Sequence, residues 1–413
     1  MTIYKQIIAK LNPVYVIVVS ITMFSAIQVV QAQFGFVNEK VSSVVSLLCA
    51  VGLIVGTKKI CSDTYLESKY FRFVVYIFLS YQLLLIVRGP SLSYNLFKSY
   101  LQNDYLLWPS LIPLVVFFNK EDLTFFYFIK SFYYLGIAFL FVCIIDRSLV
   151  LQRATAEAFI LPFAFTCGFL FLNSKYLPKK VTWTAFISLV IGLLSFIYLA
   201  RRNAVLSFSL LLLLGIYFWL RNLNAFRFLR LIPIFSLITI AVLVGSDKVP
   251  AALTEKFTER LAEDTRSAVF DNYFKGMEEH MVYGKGVNGT YYSPIEAQET
   301  DEGVTYSEIS NREVIENGYL QMILTGGYIN VILFGLVMLP AVFLGIFKSK
   351  NQLSRVCGLV ILLWLVDMSV YGLPRLQLEY ALVWLSAAVC YQTSFRERSD
   401  EEILASFEEV GLF

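Results

Sequence analysis

The chain has 413 residues, of which 57% are hydrophobic and only 16% charged, with a formal net charge of +3. Soluble domains carry about 25% charged residues, so water is not the main solvent of this chain. So small a net charge, without a run of basic residues, excludes a phosphate-backbone surface. The single histidine leaves no material for a His-based metal cluster or a Ser/His pair, and no metal and no cofactor are expected.

Crossing the hydrocarbon takes roughly 20 apolar residues. Runs of that kind, cut by charged or turn-rich breaks, predict spans at 13–33, 41–57, 71–87, 104–119, 124–145, 157–173, 182–200, 203–220, 228–246, 318–346, 355–372 and 376–394. Pro109 and Pro113 interrupt the fourth, and Lys130 lies within the fifth. Lys5 and Lys10 before the first run, with Val30-Gln31-Ala32 at its end, imitate a secretory signal and its cleavage site. Because so many spans follow, we expect it to remain as the first of them.

The six cysteines, Cys49, Cys61, Cys143, Cys167, Cys357 and Cys390, fall mostly inside these runs without paired spacing, and read as small packing residues. Lysine and arginine concentrate in alternate connections, including Lys58, Lys59, Lys69, Arg72, Lys175, Lys179, Lys180, Arg221, Arg227, Arg230, Lys348, Lys350 and Arg355. The positive-inside rule then puts both termini in the cytoplasm. The fold class expected is an all-α polytopic membrane protein of about twelve helices with one large, partly helical loop on the non-cytoplasmic side. Nine helices fall in 1–246, the loop is 247–317, three helices fall in 318–394, and 395–413 is a cytoplasmic tail.

Within the loop, Glu255, Lys256, Glu259, Arg260 and Glu263 pattern a short surface helix. A second is expected from Ala268, Val269, Tyr273, Met277 and Met281, with Gly284 where it would stop. Gly284-Lys285-Gly286-Val287-Asn288-Gly289 has the spacing of a dinucleotide fingerprint but lacks the preceding strand, so its glycines are read as tight turns returning the loop to the membrane. His280, among Glu278, Glu279 and Met281, is read as a solvated surface residue.

Arginines kept on the outer side against the charge bias are the first candidates for chemistry. Arg201 and Arg202 occupy the turn between two apolar helices; they either snorkel to lipid phosphates or clamp an anion bidentately. Arg266 opens the second loop helix, where a cation opposes the helix dipole. Glu316-Asn317-Gly318-Tyr319-Leu320-Gln321 opens the tenth span, and Thr325-Gly326-Gly327 interrupts it a few turns on. Such a helix usually lines a cavity, although Asn317 also suits simple capping. Asp367, Arg375 and Glu379 add charge at similar depth.

Three of these passages resemble the bacterial O-antigen polymerase and O-antigen ligase superfamily. Leu199-Ala200-Arg201-Arg202-Asn203-Ala204 is similar to the family's Ser-Arg-Gly-Ala turn, with Arg202 matching its arginine and Arg201 in the place of its serine. Arg266-Ser267-Ala268-Val269-Phe270 and the later Gly284-Lys285-Gly286 resemble its loop arginine, helix and glycine turn. Glu316-Asn317, nine residues and Gly327 resemble the ligase pattern of His-Asn, nine residues and Gly, and the glutamate favours polymerase over ligase.

The resemblance implies a metal-independent membrane glycosyltransferase of the bacterial inner membrane, with its active side periplasmic. It would transfer a growing glycan from undecaprenyl pyrophosphate onto a new lipid-linked repeat, as in lipopolysaccharide biosynthesis. Its partners would be the lipid-linked oligosaccharide donor and acceptor, membrane lipid and a chain-length regulator, with no nucleic acid. Catalysis would rest on Arg202 and Arg266 stabilising the departing pyrophosphate and on Glu316 as base. Arg201, Arg312, Asn317, Tyr319 and Arg375 would bind substrate, and tyrosines such as Tyr291, Tyr292, Tyr306 and Tyr319 would stack on sugars. The alternatives are an O-antigen ligase, and a lipid-linked oligosaccharide flippase or other transporter. Against the latter stand the large loop and the absence of a two-fold sequence repeat.

Overall fold

Where no water is at hand, each backbone donor must be satisfied within its own segment, and the apolar runs of this chain accordingly become helices. The computed structural model describes residues 12–34, 39–61, 67–88, 108–117, 123–145, 160–199, 202–221, 265–293, 296–300, 303–307, 311–370 and 372–411. Five of its helices are long and apolar enough to cross a membrane: Val41–Lys58, Lys69–Val87, Leu123–Ile145, Lys179–Tyr198 and Gly318–Phe347. Shorter apolar helices occupy Pro13–Ile27, Leu161–Leu172, Ala204–Trp219 and Leu378–Tyr391. The chain is a helical membrane protein. The expected ninth span, 228–246, and the expected surface helix at 255–263 lie outside the described residues.

The chain divides into two compact units, one formed by Met1–Ser131 with Thr265–Val410, the other by Phe132–Asp264 with Gly411–Phe413. In the first unit, α1 (Pro13–Phe34) and α2 (Glu39–Cys61) form a close pair. α3 (Lys69–Val87) is capped by Ser68, whose hydroxyl accepts from the Phe71 N–H at 3.2 Å. The fourth expected span is described only around Trp108–Leu111 (α4), which tightens into a 3-10 helix at Ile112–Val116. Pro113 explains the change, since it cannot donate a backbone bond and its ring crowds the preceding turn. Nine residues of such helix rise about 15 Å, half of a 30 Å hydrocarbon core, so this described stretch is not by itself a span. α5 (Leu123–Ile145) begins in the first unit and ends in the second.

After the loop, α10 (Gly318–Phe347), α11 (Gln352–Met368) and α12 (Leu378–Tyr391) complete the first unit. Every residue of α12 is buried, which makes it the centre of the unit. Trp384 on α12 meets Phe78 of α3 at 5.2 Å and Phe334 of α10 at 6.0 Å between ring centres. α10 and α11 approach closely at two glycines: a Cβ on Gly345 would stand 2.8 Å from the Gly358 Cα and 2.7 Å from the Cys390 sulfur. At one end of the unit the Asn351 amide holds the Phe395 carbonyl (2.8 Å), and the Ser394 N–H reaches Glu67 (3.2 Å). There α13 (Thr393–Arg396) leads to α14 (Asp400–Glu409), whose Ser399/Glu402 capping box fixes its start. Lys130 donates to the Val410 carbonyl at 2.6 Å, which accounts for a lysine within the fifth expected span.

The second unit holds α6 (Leu161–Leu172), α7 (Lys179–Tyr198) and α8 (Arg202–Arg221). α6 is buried at all but its first residue and packs on both others through small residues, Gly168 against Leu211 and Gly192 against Ala164.

The loop contributes α9 (Thr265–Met277), a 3-10 turn at Glu278–His280, and an antiparallel hairpin of β1 (Glu296–Thr300) and β2 (Gly303–Ser307) with Gln298 opposite Thr305. The hairpin is confined to the loop, and the all-helical class expected of the chain stands. Val304, Thr305 and Tyr306 favour a strand, and two residues separate it from β1, the spacing of a tight hairpin.

Candidate functional site

The start of α10 is strapped to its surroundings by side chains that leave little freedom. Asn317 caps the helix, its oxygen accepting from the Leu320 N–H at 3.0 Å while its amide donates to the Ser369 carbonyl at 2.6 Å. The Tyr319 hydroxyl donates to the Leu365 carbonyl at 2.8 Å. Gly318 sits so tightly against the Gly372 carbonyl that a Cβ there would overlap it. Gln321, buried, accepts from the Ile315 N–H (2.9 Å) and donates to the Glu313 carbonyl (3.2 Å), which folds the incoming chain over the helix start. Glu316 is half-buried one residue before the cap. Arg312 pairs its backbone with Tyr291, each N–H donating to the other's carbonyl at 2.8 and 3.0 Å.

Nine residues further on, α10 breaks. Gly327 has φ 65° and ψ −170°, a conformation open essentially only to glycine. The break separates the helical pairs Leu324 with Tyr328 and Thr325 with Ile329, and loop residues 281–286 replace both sides of each. The Lys285 and Gly286 N–H groups donate to the Leu324 and Thr325 carbonyls, both at 2.8 Å. The Tyr328 and Ile329 N–H groups donate to the Met281 and Val282 carbonyls at 2.8 and 3.4 Å. The next carbonyl, Gly326, accepts from the Tyr81 hydroxyl of α3 at 2.6 Å. These five backbone groups freed by the break are thereby given partners, as an apolar setting demands.

The seated turn is itself shaped by glycine. Gly284 (φ 66°) and Gly286 (φ 88°) are left-handed, the Gly289 N–H closes on the Gly286 carbonyl at 2.9 Å, and a Cβ on Gly284 would stand 2.5 Å from the Thr325 carbonyl. The expectation that these glycines make tight turns holds. Arg88, which ends α3, donates to the Tyr283 carbonyl at 3.1 Å and the Gly284 carbonyl at 3.5 Å. Behind the turn, Tyr273 and Met277 of α9 pack with Tyr291, Ile315, Ile323 and Leu324 in a small apolar core. The Tyr273 hydroxyl donates to the Leu320 carbonyl at 2.7 Å, and burial pushes its pKa well above the ordinary value of 10.0.

The same end of the first unit therefore gathers Arg312, Glu316, Asn317, Tyr319 and, just past Gly372, the half-buried Arg375. Asp367, Arg375, Glu379 and Glu316 each engage a neighbour. Arg266 lies in the first turn of α9 and Arg202 is the first residue of α8 in the second unit; the side chains of both, with all of Arg201, lie outside the described residues. One expectation is corrected. Tyr291 is 1% exposed, its ring set edge-on to Tyr273 and its hydroxyl donating to the Val314 carbonyl, so it supports the loop core and offers no face to a sugar. Tyr292 is exposed, and the Tyr306 side chain lies outside the described residues.

Sequence reasoning missed Arg88 and Tyr81 as pins of the turn, and it missed a buried polar group beside the break. The Gln82 amide of α3 donates to the Asn330 oxygen of α10 at 2.7 Å and its oxygen accepts from the Ser110 hydroxyl at 3.2 Å. The Asn330 amide in turn reaches the Met322 carbonyl at 3.3 Å. Amides inside otherwise apolar windows were the available signal. Among the described residues no three His, Cys, Asp or Glu side chains stand close enough to share a metal ion. In comparisons with known proteins, the chain matches no family model and no curated protein.

Proposed function

We propose that this protein is a bacterial inner-membrane glycan polymerase of the O-antigen type. In this reading about twelve spans leave both termini cytoplasmic and the loop, with the α10 entrance, periplasmic. The reading is carried by one observation: two of the three passages on which the resemblance rests, the glycine turn and the Glu316-Asn317 helix start with Gly327, meet in space through paired backbone bonds.

The reaction joins the anomeric carbon of the growing glycan to a hydroxyl of the next lipid-linked repeat and releases undecaprenyl pyrophosphate. Arg202 and Arg266 oppose the charge that develops on that leaving group, in a partly dehydrated place where ion pairing is stronger than in water. Glu316, at the strapped helix start, takes the acceptor hydroxyl's proton. Arg201, Arg312 and Arg375 supply further positive charge for the lipid-linked pyrophosphates.

Lipopolysaccharide banding tests it, in a deletion strain complemented with wild type, Arg202→Ala, Arg266→Ala or Glu316→Ala at matched membrane levels. The expected pattern is core plus one repeat in the deletion, a ladder with wild type, and at least a tenfold loss of ladder with each variant. Core without any repeat would point to ligase or flippase, and an unchanged ladder in the deletion would end the glycan reading.

A further inference from the structure

The buried amides beside the helix break line a cavity of about 30 Å³, bounded by Gln82, Ser110, Gln321 and Asn330 on its polar side and by Phe78 and Tyr380 on its apolar side. We infer that this cavity takes a hydroxyl-bearing arm of an uncharged sugar; the identity of the ligand as a sugar rests on the polymerase reading above.

Three features argue for it. None of the residues lining the cavity is charged. An anionic group entering it would lose its water and find no cation, so a uronic acid or a pyrophosphate is disfavoured. The amides match a hydroxyl, which needs one donor and one acceptor together. An amide side chain offers two N–H donors and two oxygen lone pairs. The bonds among the described residues take one N–H of Gln82, toward Asn330, and one lone pair, from Ser110. One donor and one acceptor capacity of the same amide remain beyond those two bonds. The size fits as well: a water-sized group needs about 10–15 Å³, so the cavity suits a hydroxymethyl arm, with the rings and Met322 against its C–H bonds.

Buried amides in a membrane protein also stabilise by joining helices, and the test separates the two roles. The full chain in lipid vesicles is titrated with neutral methyl hexosides and, at equal concentration, with glucuronate, reading tryptophan fluorescence. Trp384 contacts Phe78 (5.2 Å) and Trp364 contacts Tyr380 (5.2 Å), so the reporters adjoin the cavity. A saturable response to at least one neutral glycoside and none to glucuronate is expected. Ser110→Ala, which spares the Gln82 to Asn330 bond, should weaken that response about three- to tenfold and Gln82→Leu more than tenfold, with the melting temperature of Ser110→Ala lowered only by the one bond it loses to Gln82. No saturable response to neutral glycosides, or an equal response in both variants, would overturn the inference. Polymerisation of lipid-linked repeat by the same vesicles is scored separately: a neutral-sugar response without polymerisation would keep the cavity and overturn the polymerase reading. Polymerisation without the response would do the reverse.

Discussion

The two units join their helices in different ways. In the second unit, α6 meets its neighbours through side chains, Leu211 resting on Gly168 and Ala164 on Gly192. In the first, the break in α10 is joined to the loop through the backbone, with residues 281–286 completing the helical pairs that the Gly327 break leaves open. Contacts between side chains can give by a few tenths of an ångström, so damage there is graded. Backbone pairing at a helix break has no such latitude: either four groups all find partners or they are stranded.

The sharpest way to break the contrast is at the break itself. Gly327→Ala forces a Cβ into a glycine-only conformation and against the Val282 carbonyl, and should cost roughly 3 kcal/mol or more at the junction. Hydrogen exchange reads it directly: protection at the Lys285, Gly286 and Tyr328 amides should collapse, with the ladder abolished at normal membrane levels. Gly284→Ala, where φ is 66° and Thr325 stands 2.5 Å from the added carbon, should act in the same way and nearly as strongly, by about 2 kcal/mol. Retained protection in either variant would show that the junction is softer than its geometry implies.

Arg88→Ala removes two bonds to loop carbonyls while leaving every backbone pair in place. As the guanidinium is exposed, about 1 kcal/mol is expected, seen as partly faster exchange at residues 283–286 without loss of the ladder's longest bands beyond a few-fold. A matching change in the second unit, Gly168→Ala, brings a carbon to 3.0 Å from a Leu211 methyl and should lower stability by about 1 kcal/mol, read as a small fall in melting temperature.

The smallest effect concerns pH. Tyr273 keeps its proton in the folded loop beyond pH 10.0, whereas an unfolded tyrosine begins to ionise there. The loop's docking should therefore be indifferent to this group below about pH 10 and weaken as pH rises past it. Tyr273→Phe should remove that alkaline dependence at a constant cost of about 1 kcal/mol for the bond to Leu320, as followed by loop proteolysis against pH.

Much of this was legible in the sequence because it is local. A span is a matter of run length and composition, so α1, α2, α3, α5, α7 and α10 begin and end near where the apolar runs do. Gly284 stops the loop helix region and Gly327 interrupts α10 because a glycine after a periodic run, or a glycine pair within one, weakens helix wherever it stands. The entrance motif was legible too, though Asn317 and Tyr319 turn out to have their polar atoms occupied by the Leu320 N–H and the Ser369 and Leu365 carbonyls.

What only the tertiary structure decided is which distant segments complete one another. Met281 to Gly286 fill the break through N–H and carbonyl groups that every residue but proline carries, so the pairing leaves almost no mark in side-chain identity beyond the two glycines that let the backbones approach. Gln82 and Asn330 lie 248 residues apart and each looks, in its own window, like a single polar lapse in an apolar helix. Apolar run length sets where a helix forms, but a buried amide or an open carbonyl is stable only beside a specific partner, and that partner is chosen by packing.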